Sequence, residues 1–361
     1  MLRPNATAVR GLFAAVLTLA LVGKADARPS PDYAHVIVIV EENKDADMVL
    51  NPDTAPNLSR LAKTYGVATN FFGEVHPSEG NYVAMLAGDT FGIHDDDAYY
   101  CMPGMTDHEC PNAQRTDYPA HTLLARHLGD QLAEKGLGWK GYYGSLPEPG
   151  SLAVHAPDPR LPFGAKLDNL YASKHSGFVN FKDVQTAPDR AKKLVDLDQL
   201  DRDLAGDTLP AFALVVPNQC DEMHGLHGAD TPEDCDITHP LLTVKRGDRV
   251  IGELVAKVQA SKAWKSKRNM AIVITFDESG SFKRDGCCAV TPTASSNFGG
   301  GHIATVVITN HGPRGLSDPT PYNHYSLLRT FEDLFHIEEH LGHAADTDKG
   351  VTPMTALFAT P

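Results

Sequence analysis

Four short runs in this chain are apolar almost throughout: His35–Val40 (HVIVIV), Ala211–Val216 (AFALVV), Ala271–Phe276 (AIVITF) and Ile303–Thr309 (IATVVIT). They are rich in β-branched residues and lack the in–out alternation of a half-exposed strand. Such a run must be covered on both faces, as a central parallel strand is when helices flank it. Amphipathic stretches separate the runs. Pro56–Tyr65 (closed by Gly66), His121–Lys135, Asp248–Ala263 and Tyr325–Phe335 carry apolar residues at helical spacing. Strands alternating with helices predict an α/β fold, doubly wound, with a mostly parallel central sheet and helices on both faces. No repeat and no clear linker divides the chain, so residues 28–361 read as one domain. Asp89–Arg115 reads as a long loop, and the Pro-rich Ser145–Arg190 region as a cap beside the core.

Residues 1–27 are set apart from the fold. Arg3 and Arg10 precede an apolar stretch from Leu12 to Val22, and Ala25-Asp26-Ala27 supplies an A-x-A cleavage site. This is the pattern of a cleavable signal peptide, too short to span a bilayer, and it places the mature protein in the periplasm or outside the cell. All six cysteines lie beyond it. In an oxidising compartment an even count favours disulfides, although six cysteines allow fifteen connectivities. Cys101–Cys110 and Cys220–Cys235 would each close a short loop, while the adjacent Cys287 and Cys288 pair with each other or elsewhere. A net charge of −14 argues against nucleic acid or an anionic membrane surface as partner. No later segment is apolar enough for a membrane span.

The polar residues that follow the apolar runs carry the chemistry. HVIVIV leads into Glu41-Glu42-Asn43, AFALVV into a segment with Asp221, Glu222 and His224, and AIVITF into Asp277-Glu278; His302 precedes the fourth run. In open α/β sheets the ligand crevice lies at the carboxyl ends of the strands. Clustered carboxylates repel unless a cation compensates them. The oxygen donors Glu42, Asn43, Asp277 and Glu278 suit one hard divalent ion (Mg²⁺, Ca²⁺ or Mn²⁺) better than zinc. Ser78, in HPSEGNY, stands at the entrance of a helical stretch ended by Gly88, and taken alone it reads as an N-cap. Beside a cation it becomes a final metal ligand and an activated nucleophile.

At these residues the chain resembles the bacterial phosphoesterase family that includes secreted acid phosphatases and phosphatidylcholine-type phospholipases C, within the alkaline phosphatase superfamily. The resemblance rests on Glu42-Asn43, HPSEGNYVAMLAG, Trp139-Lys140-x-Tyr142, Lys174-His175, VPNQCDEMH, TFDESG and HYSLLRTFEDLF, spread from Val36 to about Phe358. It implies a metal held by Glu42, Asn43, Ser78, Asp277 and Glu278, with Ser78 as nucleophile. Gly80 stands where the family usually has proline. Lys44-Asp45-Ala46-Asp47 replaces the Ser-Phe-Asp pattern of the longer phospholipases, and Lys174-His175-Ser176-Gly177-Phe178 departs from His-Asn-Pro-Phe. The second difference and the shorter length favour the small acid-phosphatase-like branch.

The expected function is hydrolysis of a small phosphate monoester through a phosphoseryl intermediate. Ser78 and His224 take catalytic roles; Asn81, His302, His175 and Asp221 are candidates for contacting substrate. Asp221, His224 and His302 form a less favoured second metal set. Asp95-Asp96-Asp97 reads as a solvated loop, and His324 as a helix-start residue. A phospholipase C-like phosphodiesterase is the alternative within enzymes, and a non-catalytic surface binding protein of the same fold is the alternative outside them. Gly136-Leu137-Gly138-Trp139-Lys140-Gly141 spells G-x-G-x-x-G but lacks the strand–turn–helix setting of a dinucleotide site.

Overall fold

The computed structural model describes Met1 and residues 33–156, 169–228, 231–290 and 297–358. The proposed signal peptide and part of the Pro-rich cap lie outside the described residues. Among the described residues nine strands form the main sheet: Tyr33–Glu41 (β1), Gly66–Phe72 (β2), Trp139–Tyr143 (β3), Leu194–Asp196 (β4), Phe212–Val216 (β5), Asn269–Phe276 (β6), His302–Thr309 (β7), Leu316–Asp318 (β8) and Tyr322–Asn323 (β9). Their order is β8-β2-β7-β6-β1-β5-β3-β4, with β9 also beside β2. The central strands β1, β5 and β6 are buried along nearly their whole length. That is why their sequences are apolar on both faces.

The sheet is mostly parallel, with one exception. β7 runs antiparallel to both neighbours, β6 and β2. A fully buried strand has the same apolar pattern in either direction, so IATVVIT gives no sign of the reversal. The reversal brings the start of β7, with His302, to the rim where the other strands end.

The helices differ from their sequence patterns mainly at their starts. Pro56–Thr64 (α1), Glu79–Ala87 (α2), Leu128–Glu134 (α3), Pro240–Ala260 (α4) and His324–Leu334 (α5) form as expected in kind. α3 begins late because His127, not His121, caps it: its Nδ1 accepts from the Gly129 N–H, and Asp130 reaches back to the His127 N–H. His121 is instead buried between Glu79 and Asp95. α4 begins at Pro240, where the missing N–H costs nothing. Disulfides join Cys101–Cys110, Cys220–Cys235 and Cys287–Cys288.

Asp95-Asp96-Asp97 is not a solvated loop. Asp95 pairs with Arg115 and His121, Asp97 accepts from Asn112 and Tyr118, and Asp96 accepts from the Glu79 N–H and from Lys174. The segment packs against the start of α2 and so braces the turn that carries Ser78. His324 does open α5. Its backbone N–H and Nδ1 meet buried Glu74, and its Nε2–H donates to the Phe276 carbonyl, one residue before Asp277.

Candidate active site

The acidic residues meet because β1 and β6 are in register. Glu41 stands opposite Phe276, the Asp277 N–H donates to the Glu41 carbonyl at 3.2 Å, and the Glu42 N–H donates to the Glu222 carbonyl at 2.7 Å. Side chains alternate along a strand, so Glu41 and Glu42 take opposite faces. Glu42 turns into the rim with Ser78, Asp277 and Glu222. Glu41 turns toward α4, where a Cβ on Gly247 would lie 3.1 Å from its Oε2. Neither Glu41 carboxyl oxygen has a hydrogen-bond partner, and burial drives this carboxyl well above its usual range.

Ser78 is 1 % exposed and precedes α2 with helical dihedrals already in place. Its side chain makes no capping hydrogen bond. The hydroxyl instead donates to Glu42 Oε2 at 3.1 Å and lies 3.5 Å from Asn43 Nδ2. Tyr82, one turn into α2, donates to Glu42 Oε1 at 2.6 Å. Ser78 and Tyr82 thus hold both oxygens of Glu42 from a single helix, an i,i+4 pair. Gly80 is required between them: a Cβ there would stand 2.5 Å from the Ile93 carbonyl oxygen.

Asn43 adopts a left-handed φ of 37°, and its N–H donates to Asp277 Oδ1 at 3.3 Å. Its Nδ2 donates to Glu278 Oε1, and the other Glu278 oxygen faces His76 Nδ1. His76 Nε2–H donates to the Lys283 carbonyl. Asn43 Oδ1 and Asp277 Oδ2 are buried with no hydrogen-bond partner. Burial raises the carboxyls of Glu42, Glu222 and Asp277, and it carries Glu278 up to about 8. For Glu42 and Glu222, nearby Asp277 adds to the rise. Unpaired oxygen lone pairs among crowded carboxyls fit a hard divalent cation.

Two imidazoles border the cluster. His175, 2 % exposed, lies 3.3 Å from Glu42 Oε2 and 2.8 Å from Glu222 Oε1, and its ring stacks on Tyr82. His224 stands 5.4 Å from His175, centroid to centroid, and its Nδ1–H donates to the Gly225 carbonyl at 2.7 Å. Burial, reinforced by Lys174, lowers both imidazoles, His224 to about 4. Burial thus favours the neutral form of both rings. Glu42, His175 and His224 offer ligand atoms within 4.8 Å of one another.

Three expected substrate contacts are placed elsewhere. Asn81 is consumed by its own turn: its Oδ1 accepts from the N–H groups of Glu74 (2.8 Å) and Val75 (3.1 Å), and its Nδ2 donates to the Val75 carbonyl. Asp221 is held by Arg246 Nε at 2.8 Å and by Asn218. His302 reaches the rim, but its Nε2–H donates to the Thr69 carbonyl, outside the acid cluster. With Asp221 and His302 so engaged, the Asp221–His224–His302 metal set is not assembled. Sequence reading also missed Glu222, Tyr82, His76 and Lys174 as parts of the site. Each sits beside a residue that was singled out, and only the turns that carry them decide which way they point.

The geometry of Asn81 gives a direct expectation. Asn81→Ala strands several buried backbone groups at roughly 1–3 kcal/mol each, so a thermal melt should show a large loss of stability. An unchanged melt combined with a raised KM would restore Asn81 as a substrate contact.

A profile of the Phosphoesterase family matches residues 48–338. The chain is 26 % identical over 336 residues to a phosphatidylinositol-3-phosphatase of Mycobacterium tuberculosis, covering 92 % of this chain and 88 % of that one. It is 24 % identical over 315 residues to a probable acid phosphatase of Kluyveromyces lactis, covering 86 % of this chain but 61 % of the yeast protein. Among solved structures it is similar to a protein in the alkaline phosphatase superfamily from Vibrio parahaemolyticus, with a TM-score of 0.51 and 12 % identity over 86 % of this chain and 69 % of that one. This last likeness concerns the fold.

Proposed function

Because this chain belongs to the Phosphoesterase family, we propose that it is a phosphomonoesterase that works through Ser78. The observation that carries the reading is the Ser78 hydroxyl: buried, free of any capping duty, and hydrogen-bonded to Glu42 beside Asp277. A serine serving only as an N-cap would spend its hydroxyl on the helix N–H groups. Residues 28–361 act as one catalytic domain in this reading. The three disulfides favour an oxidising location, periplasmic or secreted. Among the described residues no helix is long and apolar enough to cross a membrane.

Glu42, Asn43, Ser78, Asp277 and Glu278 are the residues that would hold one divalent cation, supported by the unpaired oxygens of Asn43 and Asp277. Such an ion, when bound, stabilises negative charge on the serine oxygen and on the phosphoryl oxygens. The remaining work belongs to the chain. Ser78 Oγ attacks phosphorus, the bond to the alcohol oxygen breaks, and the serine proton ends on the departing alcohol. Water then attacks the phosphoserine. His224, with its proton on Nδ1 and a lone pair on Nε2, accepts a proton from that water and returns it to Ser78. His175 and Tyr82 fix the orientation of Glu42.

Lys174 supports a doubly charged monoester over a diester. Burial works against its charge, but Asp96 at 2.8 Å outweighs burial and keeps the ammonium firmly protonated near Glu42 and Asp277. We expect p-nitrophenyl phosphate to be turned over about 100-fold faster than p-nitrophenyl phosphorylcholine, a discrimination of ordinary size for an enzyme. The reverse preference would favour the phospholipase C-like alternative. Loss of both activities at every pH and with every divalent metal tried would favour a non-catalytic binding protein.

A further inference from the structure

A cavity of about 400 Å³ opens beside the acid cluster, and Asn43 and His224 belong to its wall. The rest of its lining divides sharply by chemistry. Met48, Ile237, Pro240 and Phe282 present apolar surface. The charged groups on the wall are already spent on the protein: Lys44 Nζ donates to the Met223 carbonyl at 2.8 Å, and Asp45 Oδ1 accepts from Ser281 at 2.8 Å. The unpaired polar atoms, Asn43 Oδ1 and Ser279 Oγ, belong to the segments that carry the cluster itself. Away from the cluster, then, the cavity offers little to reward a hydroxyl-rich ligand and much to reward a hydrocarbon.

Phe282 stands apart from an ordinary surface residue. It is 72 % exposed and holds a left-handed φ of 51°, a conformation that a bulky side chain rarely adopts. Its ring lies 5.4 Å from that of His76, the partner of Glu278, and His76 also binds the carbonyl of Lys283, the next residue. Two contacts thus tie an exposed aromatic to the inner wall of the site. Strained positions persist where the surrounding structure holds them, and they cluster at ligand sites.

Resting on the phosphomonoesterase reading above, we infer that this cavity is the leaving-group subsite and that it selects phosphate monoesters of apolar alcohols. The phosphoryl group sits at Ser78, and the ester oxygen points toward His224 and Asn43. The hydrocarbon beyond it fills the space between Met48, Ile237 and Pro240, with Phe282 closing over it. Burial of a few methylene groups is enough for selection of about tenfold or more.

The test compares n-hexyl phosphate with glycerol 3-phosphate, two alkyl esters of similar leaving-group reactivity, using the full protein with added Mn²⁺. The subsite predicts a kcat/KM at least about tenfold higher for the hexyl ester. Phe282→Ser and Ile237→Asn should each move that ratio toward one. Phe282 is exposed, so its variant folds even if the Ile237 variant does not. Hydrolysis of both esters with similar kcat/KM, or a ratio that survives both substitutions, overturns the subsite and leaves the phosphomonoesterase reading intact. Hydrolysis of neither ester removes that reading, and the subsite with it.

Discussion

Ser78→Ala should lower kcat for a phosphate monoester by on the order of 10⁴-fold or more, because the covalent route closes with the loss of its nucleophile. The fold should survive. A capping serine is worth about 0.5–2 kcal/mol to its helix, but Ser78 makes no such bond. Its hydroxyl donates to Glu42 Oε2, which also has His175 at 3.3 Å, and accepts from Asn43 Nδ2, which also donates to Glu278. The melting temperature of the variant should therefore match that of the parent within a few degrees. The two readings of this serine predict opposite results. If it only caps α2, the variant melts lower and keeps its turnover. If it is the nucleophile, the variant melts normally and turns over nothing.

Removal of divalent metal should have the second-largest effect. Chelation, or Asp277→Asn, should cost about 10³-fold in turnover, the several kcal/mol that a Lewis acid contributes to transition-state charge. Stability should respond as well. Burial raises Glu42, Glu222 and Asp277, and lifts Glu278 from 4.5 to about 8. A carboxyl whose pKa is raised by folding contributes stability below its unfolded value, and that contribution is lost as pH rises through the folded value. His224, lowered from 6.5 to about 4, has the opposite slope but only below pH 6.5. Lys44, lowered from 10.5 to about 8, acts only above pH 8. Between pH 6.5 and 8 the metal-stripped protein should accordingly lose melting temperature. Millimolar Mn²⁺ or Mg²⁺ should restore it, because the ion binds the folded state alone. Superimposable melts with and without metal across this window would remove the cation from the account.

Much of the fold was legible because burial on both faces leaves a plain mark in sequence. HVIVIV, AFALVV, AIVITF and IATVVIT are all strands of the main sheet. The strand Trp139–Tyr143 and the edge strand beside it, Leu194–Asp196, were not legible. They are short, and neighbours rather than intrinsic pattern hold them in place. The reversed direction of His302–Thr309 was hidden for the reason already given. At the site, Glu42, Asn43 and Asp277 follow strand ends and lie together beside Ser78, since chain direction and register bring strand ends together. Asn81, Asp221 and His302 each have a nearby partner that sequence spacing does not reveal: a backbone turn, Arg246 and Thr69. Glu222 depends on the loop after Val216, whose path is set by packing. The apolar cavity at Phe282 joins residues near positions 48, 237 and 282 and leaves no trace in any one segment.

Acid quenching during turnover tests the central claim most directly. The protein is mixed with excess monoester, denatured in acid within milliseconds, digested, and its peptides are searched by mass for added phosphate. The account predicts phosphate on the peptide that contains Ser78, at the serine, and none in the Asp277→Asn protein. Rapid product formation with no phosphorylated Ser78 at any quench time, or phosphate on another residue, would contradict it.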